Sequence, residues 1–146
     1  MQSLLYIGLA FFMGIVMAVY LPMNSSVARH LGTPLTANVT FFVVALSTTL
    51  ILFLLFGDTV TLANVRNVSV YLYLTGFIGA LIVLGATFLV PQLGARRFFI
   101  LLIAGQIVMA IVVSHFGILE SPKDPVSLKK LLGAAFVVVG AIITTS

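Results

Sequence analysis

The chain has very few charged side chains. Asp, Glu, Lys and Arg make up only 7% of its 146 residues, whereas roughly 25% is usual in a water-soluble domain. Hydrophobic residues account for 62% of the sequence, and the mean hydropathy is +1.30. Such a chain cannot cover its surface with groups that water solvates. The composition therefore predicts an integral membrane protein.

Cysteine is absent, which excludes a disulfide framework and a thiolate metal site. The two histidines have no nearby carboxylates, so we expect no metal ion and no other cofactor. No phosphate-binding loop is present. The adjacent Ser114 and His115 would point about 100° apart on a helix, which excludes a nucleophile–base pair. These absences predict that the protein is not an enzyme.

Positive charge is present but scattered. Seven Lys and Arg residues give a pI near 9.9, and they lie at the ends of apolar segments. In membrane proteins such residues set orientation and contact lipid headgroups. We therefore expect contacts with membrane lipid and no nucleic-acid binding. No Lys or Arg precedes the first apolar run, which argues against a cleaved signal peptide.

Five apolar segments are long enough, or nearly so, to cross a hydrocarbon layer of about 30 Å. Turn residues and charges separate them, and no soluble domain or linker is evident. The sequence predicts an all-α, polytopic membrane protein with a single transmembrane domain over residues 1–146. The predicted spans lie near residues 4–21, 35–56, 70–90, 98–116 and 128–145.

Residues 18–41 are unusually polar for this chain and include Pro22, Asn24, Arg29 and Pro34. Polar groups in hydrocarbon must face protein, a water-filled cavity or the interface. One interpretation is that Pro22 bends the first helix, which continues and presents Asn24 to a central cavity. The other is that the helix ends near Leu21 and an ordinary loop follows.

Small residues recur at intervals of about one helical turn in three of the spans. Such stripes let transmembrane helices approach closely, and we favour this packing role over direct ligand binding. The predicted packing residues are Ala10, Gly14, Ala18, Gly76, Ala80, Gly133 and Gly140.

The basic residues are almost evenly divided between the two membrane faces. With five spans, four of them fall on the side of the N-terminus and three on the other. So small a bias predicts insertion in both orientations, although selection of one orientation is the alternative. Many transporters consist of two inverted repeats around a shared site. We therefore expect an antiparallel dimer with an identical or homologous chain.

Three neutral amides are the best candidates for a binding path. Gln106 lies in the middle of the fourth span, and we expect it to face inward because lipid cannot satisfy its hydrogen bonds. Asn24 follows a proline that frees a backbone carbonyl, and Asn38, one turn into the second span, could pair with it. An interhelical hydrogen bond is the alternative role for Gln106. Serines and threonines usually bond to their own helix, so we assign them no role.

Two basic side chains complete the candidate set. Arg29 would stand near one mouth of the path. His115 is the candidate proton-titrating group, because histidine changes charge near neutral pH and no carboxylate lies within the spans. Its alternative role is to cap the end of a helix or to meet lipid headgroups.

Several short motifs occur in register along nearly the whole chain. They are Pro22-x-Asn24, Gly32-Thr33-Pro34, Ala37, Gly76-x-x-Gly79-Ala80, Gly105-Gln106, His115-Phe116-Gly117, Gly133 and Gly140. In this the chain resembles the YdcZ-like branch of the drug/metabolite transporter superfamily. The resemblance implies a five-helix half-transporter that pairs with an oppositely oriented partner and acts as an exporter of the cell's inner (plasma) membrane.

The chain also departs from that family. Ser114 stands where the family often has an acidic residue, and Ala45 stands where it often has glycine. The small multidrug resistance proteins of the same superfamily use a glutamate in the first helix, and no acid is present there in this chain. Their proton-coupled antiport of cations is therefore not implied.

Taken together, these features predict a small-molecule transporter that works by alternating access as an antiparallel, dual-topology dimer. Asn24, Asn38 and Gln106 would line the path, and neutral amides favour a small polar solute that is uncharged or zwitterionic. The alternative is a non-transporting scaffold or accessory subunit whose small-residue stripes bind a partner.

Overall fold

The computed structural model describes residues 2–145, except for the side chains of residues 2, 3 and 59. The described chain is helical and contains no β-strand. Its five α-helices are α1 (Gln2–Leu31), α2 (Pro34–Phe56), α3 (Leu74–Leu93), α4 (Ala95–Phe116) and α5 (Leu128–Thr145). All five lie in segments that are long and apolar enough to cross a membrane. The predicted all-α, five-span membrane architecture is therefore confirmed.

Helix α1 continues beyond Pro22 for nine further residues, to Leu31. The interpretation in which the helix ends near Leu21 is therefore wrong. A proline inside a helix removes one backbone hydrogen bond, at a cost of about 3 kcal/mol. Leu21, Ser25 and Ala28 follow one another along one face and are all buried, so packing on both sides of the proline offsets that cost. The Ser25 hydroxyl also donates to the carbonyl of Leu21 at 3.2 Å.

A tight turn connects α1 to α2. Gly32 adopts φ +87°, a left-handed conformation that glycine reaches without strain, and its N–H donates to the Ala28 carbonyl at 2.9 Å. Thr33 then caps α2: its hydroxyl accepts from the Thr36 N–H at 3.1 Å, and Pro34 occupies the first helical position. The turn reverses the chain so that Tyr20 and Phe41 stack with ring centroids 5.9 Å apart.

Two 3₁₀ segments, Thr59–Asn67 and Val70–Tyr73, lead from α2 into α3. The Asp58 side chain caps the first of them by accepting from the Val60 N–H at 2.9 Å. The Tyr73 hydroxyl, in the second segment, donates to the Val65 carbonyl in the first at 2.6 Å and so joins the two segments. Helix α3 then continues past Pro91, so this proline lies inside the helix rather than in the connection that follows it.

The chain divides into two compact units, Met1–Gln92 and Leu93–Ser146. In the second unit, Gly117 ends α4 with φ +64°, and its N–H donates to the Val113 carbonyl. The Asp124 N–H donates to the Ser114 carbonyl at 2.9 Å, and Lys130 forms an ion pair with Asp124.

An Arg96 guanidinium nitrogen donates to the Thr144 carbonyl at 3.1 Å, which joins the start of α4 to the end of α5.

The small residues predicted to pack helices are mostly exposed. A Cβ atom added at Gly14, Gly76, Gly133 or Gly140 would meet no atom within 4 Å. Ala10 and Ala18 are exposed as well, and Ala80 is half-buried. These stripes are therefore not packing faces within either unit, and a packing role against another chain stays a prediction.

The Thr33 cap gives a direct test of the α1–α2 turn. Thr33→Ala removes the hydroxyl that accepts from the Thr36 N–H, and we expect it to lower the free energy of unfolding by about 1 kcal/mol. Unfolding in mixed detergent micelles measures the change. Thr33→Ser is the matched control, because it keeps the acceptor. An equal loss in both variants would contradict the capping role.

Candidate functional site

Four polar side chains are buried in the first unit: Asn24 and Ser25 of α1, Asn38 of α2 and Thr87 of α3. We term these four residues the polar seam. The other buried side chains in the described part of the chain are apolar. The seam is therefore where the first three helices bring hydrogen-bonding groups into an otherwise apolar interior.

The polar seam lies closer to one membrane face than to the other. Asn24 is seven residues from the end of α1, and Thr87 is six residues from the end of α3. Asn38 is four residues into α2. At about 1.5 Å per residue these distances are about 6–10 Å along each helix. Successive helices cross in alternate directions, so all three positions are near the same face.

Asn24 and Thr87 join α1 to α3. The Thr87 hydroxyl donates its one proton to the Val83 carbonyl at 2.7 Å, and its oxygen accepts from Asn24 Nδ2 at 2.7 Å. Asn24 is 6% exposed and Thr87 only 1%, so the bond is shielded on all sides. A hydrogen bond between transmembrane helices contributes about 0.6–2 kcal/mol. This bond therefore helps to fix the register of α1 against α3.

Asn38 joins α2 to α3 but leaves one of its own atoms unpaired. Its Nδ2 donates to the Ala80 carbonyl at 3.2 Å. Its Oδ1 is buried and accepts no hydrogen bond from the described residues. An unpaired buried acceptor costs about 1–3 kcal/mol. The expected pairing of Asn38 with Asn24 is wrong, because each amide donates to α3 instead.

Two grooves adjoin the seam at Asn24, Ser25 and Thr87, and a third, of about 330 Å³, lies beside Asn38 on α2. A groove of about 520 Å³ runs between α1 and α2, and apart from Tyr20, Asn24 and Thr40 its lining is apolar. A second groove of about 290 Å³ lies where α1 and α3 end, beside Arg29. We term this second groove the Arg29 groove. Asn24 thus bonds to α3 while it also lines the larger of these two grooves.

Gln106 does not belong to the polar seam. It is exposed on α4, and its side chain makes no hydrogen bond within residues 2–145. The expected burial against its own chain is therefore not found. An amide in mid-span without a partner in its own chain still needs a donor or acceptor from outside, so a place on the path stays a prediction.

His115 has a structural contact in the second unit. Its Nδ1 accepts from the Val126 N–H at 3.1 Å, which places the proton of the neutral ring on Nε2. This hydrogen bond holds the connection between α4 and α5 to the end of α4. Proton transfer by His115 stays a prediction. Within the described residues, no group of three His, Cys, Asp or Glu side chains could hold a metal ion.

Sequence reasoning gave Thr87 no role, although the structure makes it the partner of Asn24. The threonine does bond to its own helix, as expected, but a hydroxyl that donates to Val83 can still accept. A sequence signal was available: Thr87 stands four residues before Pro91, on the same face of the helix.

Five apolar helices and a buried polar seam define a multi-pass membrane protein. Comparison with protein-family models matches residues 5–143 to the family described as "Putative inner membrane exporter, YdcZ". The chain belongs to this family. It is thus a multi-pass inner membrane protein of a transporter family rather than an enzyme family, and the expected resemblance is confirmed. Comparisons with curated proteins and with solved structures gave no match.

A double-mutant cycle tests the Asn24–Thr87 bond. Thr87→Val and Asn24→Leu should each destabilise the protein, and their combination should cost less than the sum, with a coupling of about 0.6–2 kcal/mol. Unfolding in detergent micelles provides the measurement. Thr48→Val is the matched control, because Thr48 likewise donates to the carbonyl four residues earlier but is exposed. Additive effects of the two seam variants would contradict the bond.

Proposed function

We propose that the protein exports small polar solutes by alternating access, as an antiparallel dimer of two copies. The observation that carries this proposal is the polar seam, with its unpaired acceptor at Asn38 Oδ1. A purely structural seam would pair its groups internally, because an unmet acceptor costs stability. A solute or water that passes the seam would supply the missing donor.

The near-even division of basic residues supports the antiparallel arrangement. One copy supplies five helices, and transporters commonly place their site between two inverted repeats. A second copy in the opposite orientation would complete such a pair. It would also give Gln106 and the exposed small residues of α1, α3 and α5 a protein surface to contact.

The solute path in this proposal follows the groove between α1 and α2. Asn24 lines this groove and Arg29 stands near its mouth, while Asn38 lines a separate groove on α2 and Gln106 stays a predicted path residue. The groove lining contains no carboxylate, so a cation would lack a counter-charge there.

Solute flux tests the site. Proteoliposomes loaded with radiolabelled amino acids and polyols should release at least one of them when they contain the wild-type protein. The combined variant Asn24→Leu and Gln106→Leu should remain folded, by circular dichroism and size exclusion, and should lose that flux. Ser47→Ala is the control, because Ser47 donates only to its own helix, at Val43. Undiminished flux in the combined variant would overturn the site assignment.

The exposed small-residue stripes favour a second candidate, a non-transporting scaffold that binds a partner chain. Gly14 and Gly140 leave open space at the helix surface, which suits close contact with another helix. A scaffold should tolerate apolar replacement of the seam amides and should lose its partner when Gly14 is replaced by Leu. A transporter should instead lose solute flux when the seam amides are replaced by apolar residues.

A further inference from the structure

The Arg29 groove contains a positive charge that no acidic residue of the first unit balances. Residues 1–57 include no Asp or Glu, and Asp58 is the one acidic residue of the sequence in the first unit. Asp58 follows the far end of the 23-residue helix α2, about 34 Å from the groove along that helix. The residues of the first unit therefore leave the groove electropositive.

Arg29 is not needed to complete the end of α1. His30 Nδ1 donates to the Ser26 carbonyl at 2.8 Å, and the Gly32 N–H donates to the Ala28 carbonyl. These two hydrogen bonds satisfy backbone carbonyls in the last turns of α1 without Arg29. The Arg29 guanidinium makes no hydrogen bond or ion pair with the described residues and retains all its donors.

The same groove also offers a hydrogen-bond acceptor. Pro91 has no N–H and cannot donate to the carbonyl of Thr87, four residues earlier in α3. Both residues line the groove, together with Gln92, whose side-chain amide is likewise unbonded in residues 2–145. Thr87 is only 1% exposed, so its carbonyl is out of a solute's reach, and the acceptor that shares the space of about 290 Å³ with the Arg29 guanidinium is the Gln92 amide oxygen.

We infer, resting on the proposed transport function, that the Arg29 groove binds a small solute with an anionic group and a hydrogen-bond donor. Arg29 pairs with a carboxylate or phosphate, and the Gln92 amide oxygen accepts from the donor, for example an ammonium group. An amino-acid-like zwitterion satisfies both ends at once. The phosphate of a lipid headgroup shares the anionic chemistry, so the test separates these two sources.

Calorimetric titration of the full-length protein in an uncharged maltoside detergent measures this binding. The probes are acetate, inorganic phosphate and glycine. Glycine should bind more tightly than acetate because both of its ends are held. Arg29→Gln should weaken all three by about tenfold or more, since a charge-assisted hydrogen bond is lost. Arg97→Gln is the matched control, because Arg97 is also exposed and unpaired within the described residues.

A second variant isolates the acceptor. Gln92→Leu removes the amide oxygen that accepts from the solute, and leucine suits a helix. It should remove the preference for glycine over acetate and leave acetate affinity unchanged. Equal anion affinity in Arg29→Gln and Arg97→Gln, or no binding of any probe by the wild type, would overturn the proposal.

Lipid nanodiscs identify the source of the anion. If phosphatidylglycerol does not weaken acetate binding relative to phosphatidylcholine, the groove belongs to a solute. If phosphatidylglycerol competes with acetate for the groove, and glycine binds no more tightly than acetate, the assignment of the groove to a solute is wrong. Binding without flux in proteoliposomes would count against the transport function alone, whereas flux without binding would overturn only this groove.

Discussion

A polar group inside the membrane must find its partner within the protein, because hydrocarbon offers none. Most of the Ser and Thr hydroxyls described in the five helices meet the constraint locally: Ser47, Thr48 and Thr49, for example, each donate to a carbonyl one turn earlier. An asparagine amide has two donors and an acceptor, which one helix cannot satisfy. Asn24 and Asn38 therefore reach across to α3, and their bonds fix how the first three helices meet.

The same constraint makes the unmet groups of the first unit informative. Asn38 Oδ1, the guanidinium of Arg29 and the side-chain amide of Gln92 lie near one membrane face. A protein selected only for stability would pair these groups or replace them with apolar side chains. A transporter needs binding groups that stay free until a solute arrives, which is what membership of an exporter family leads us to expect.

Composition and apolar runs predicted the class and the number of helices, because burial in lipid leaves a strong signature in sequence. They did not settle whether α1 passes Pro22, since that depends on how Leu21 and Ser25 pack against neighbours. The partner of Asn24 lies 63 residues away, and no local pattern encodes such a contact. Gln106 shows the same limit: an amide among apolar residues has the same sequence signature on either face of a helix.

In the proposed transporter, two oppositely oriented copies of the chain share one polar path. Because the chain has no native cysteine, a single Lys123→Cys substitution in the α4–α5 connection reports on its orientation directly. A membrane-impermeant maleimide applied to intact cells should label about half of the molecules, and permeabilisation should expose the rest. Labelling of all molecules from one side, or of none before permeabilisation, would contradict an antiparallel pair of identical chains.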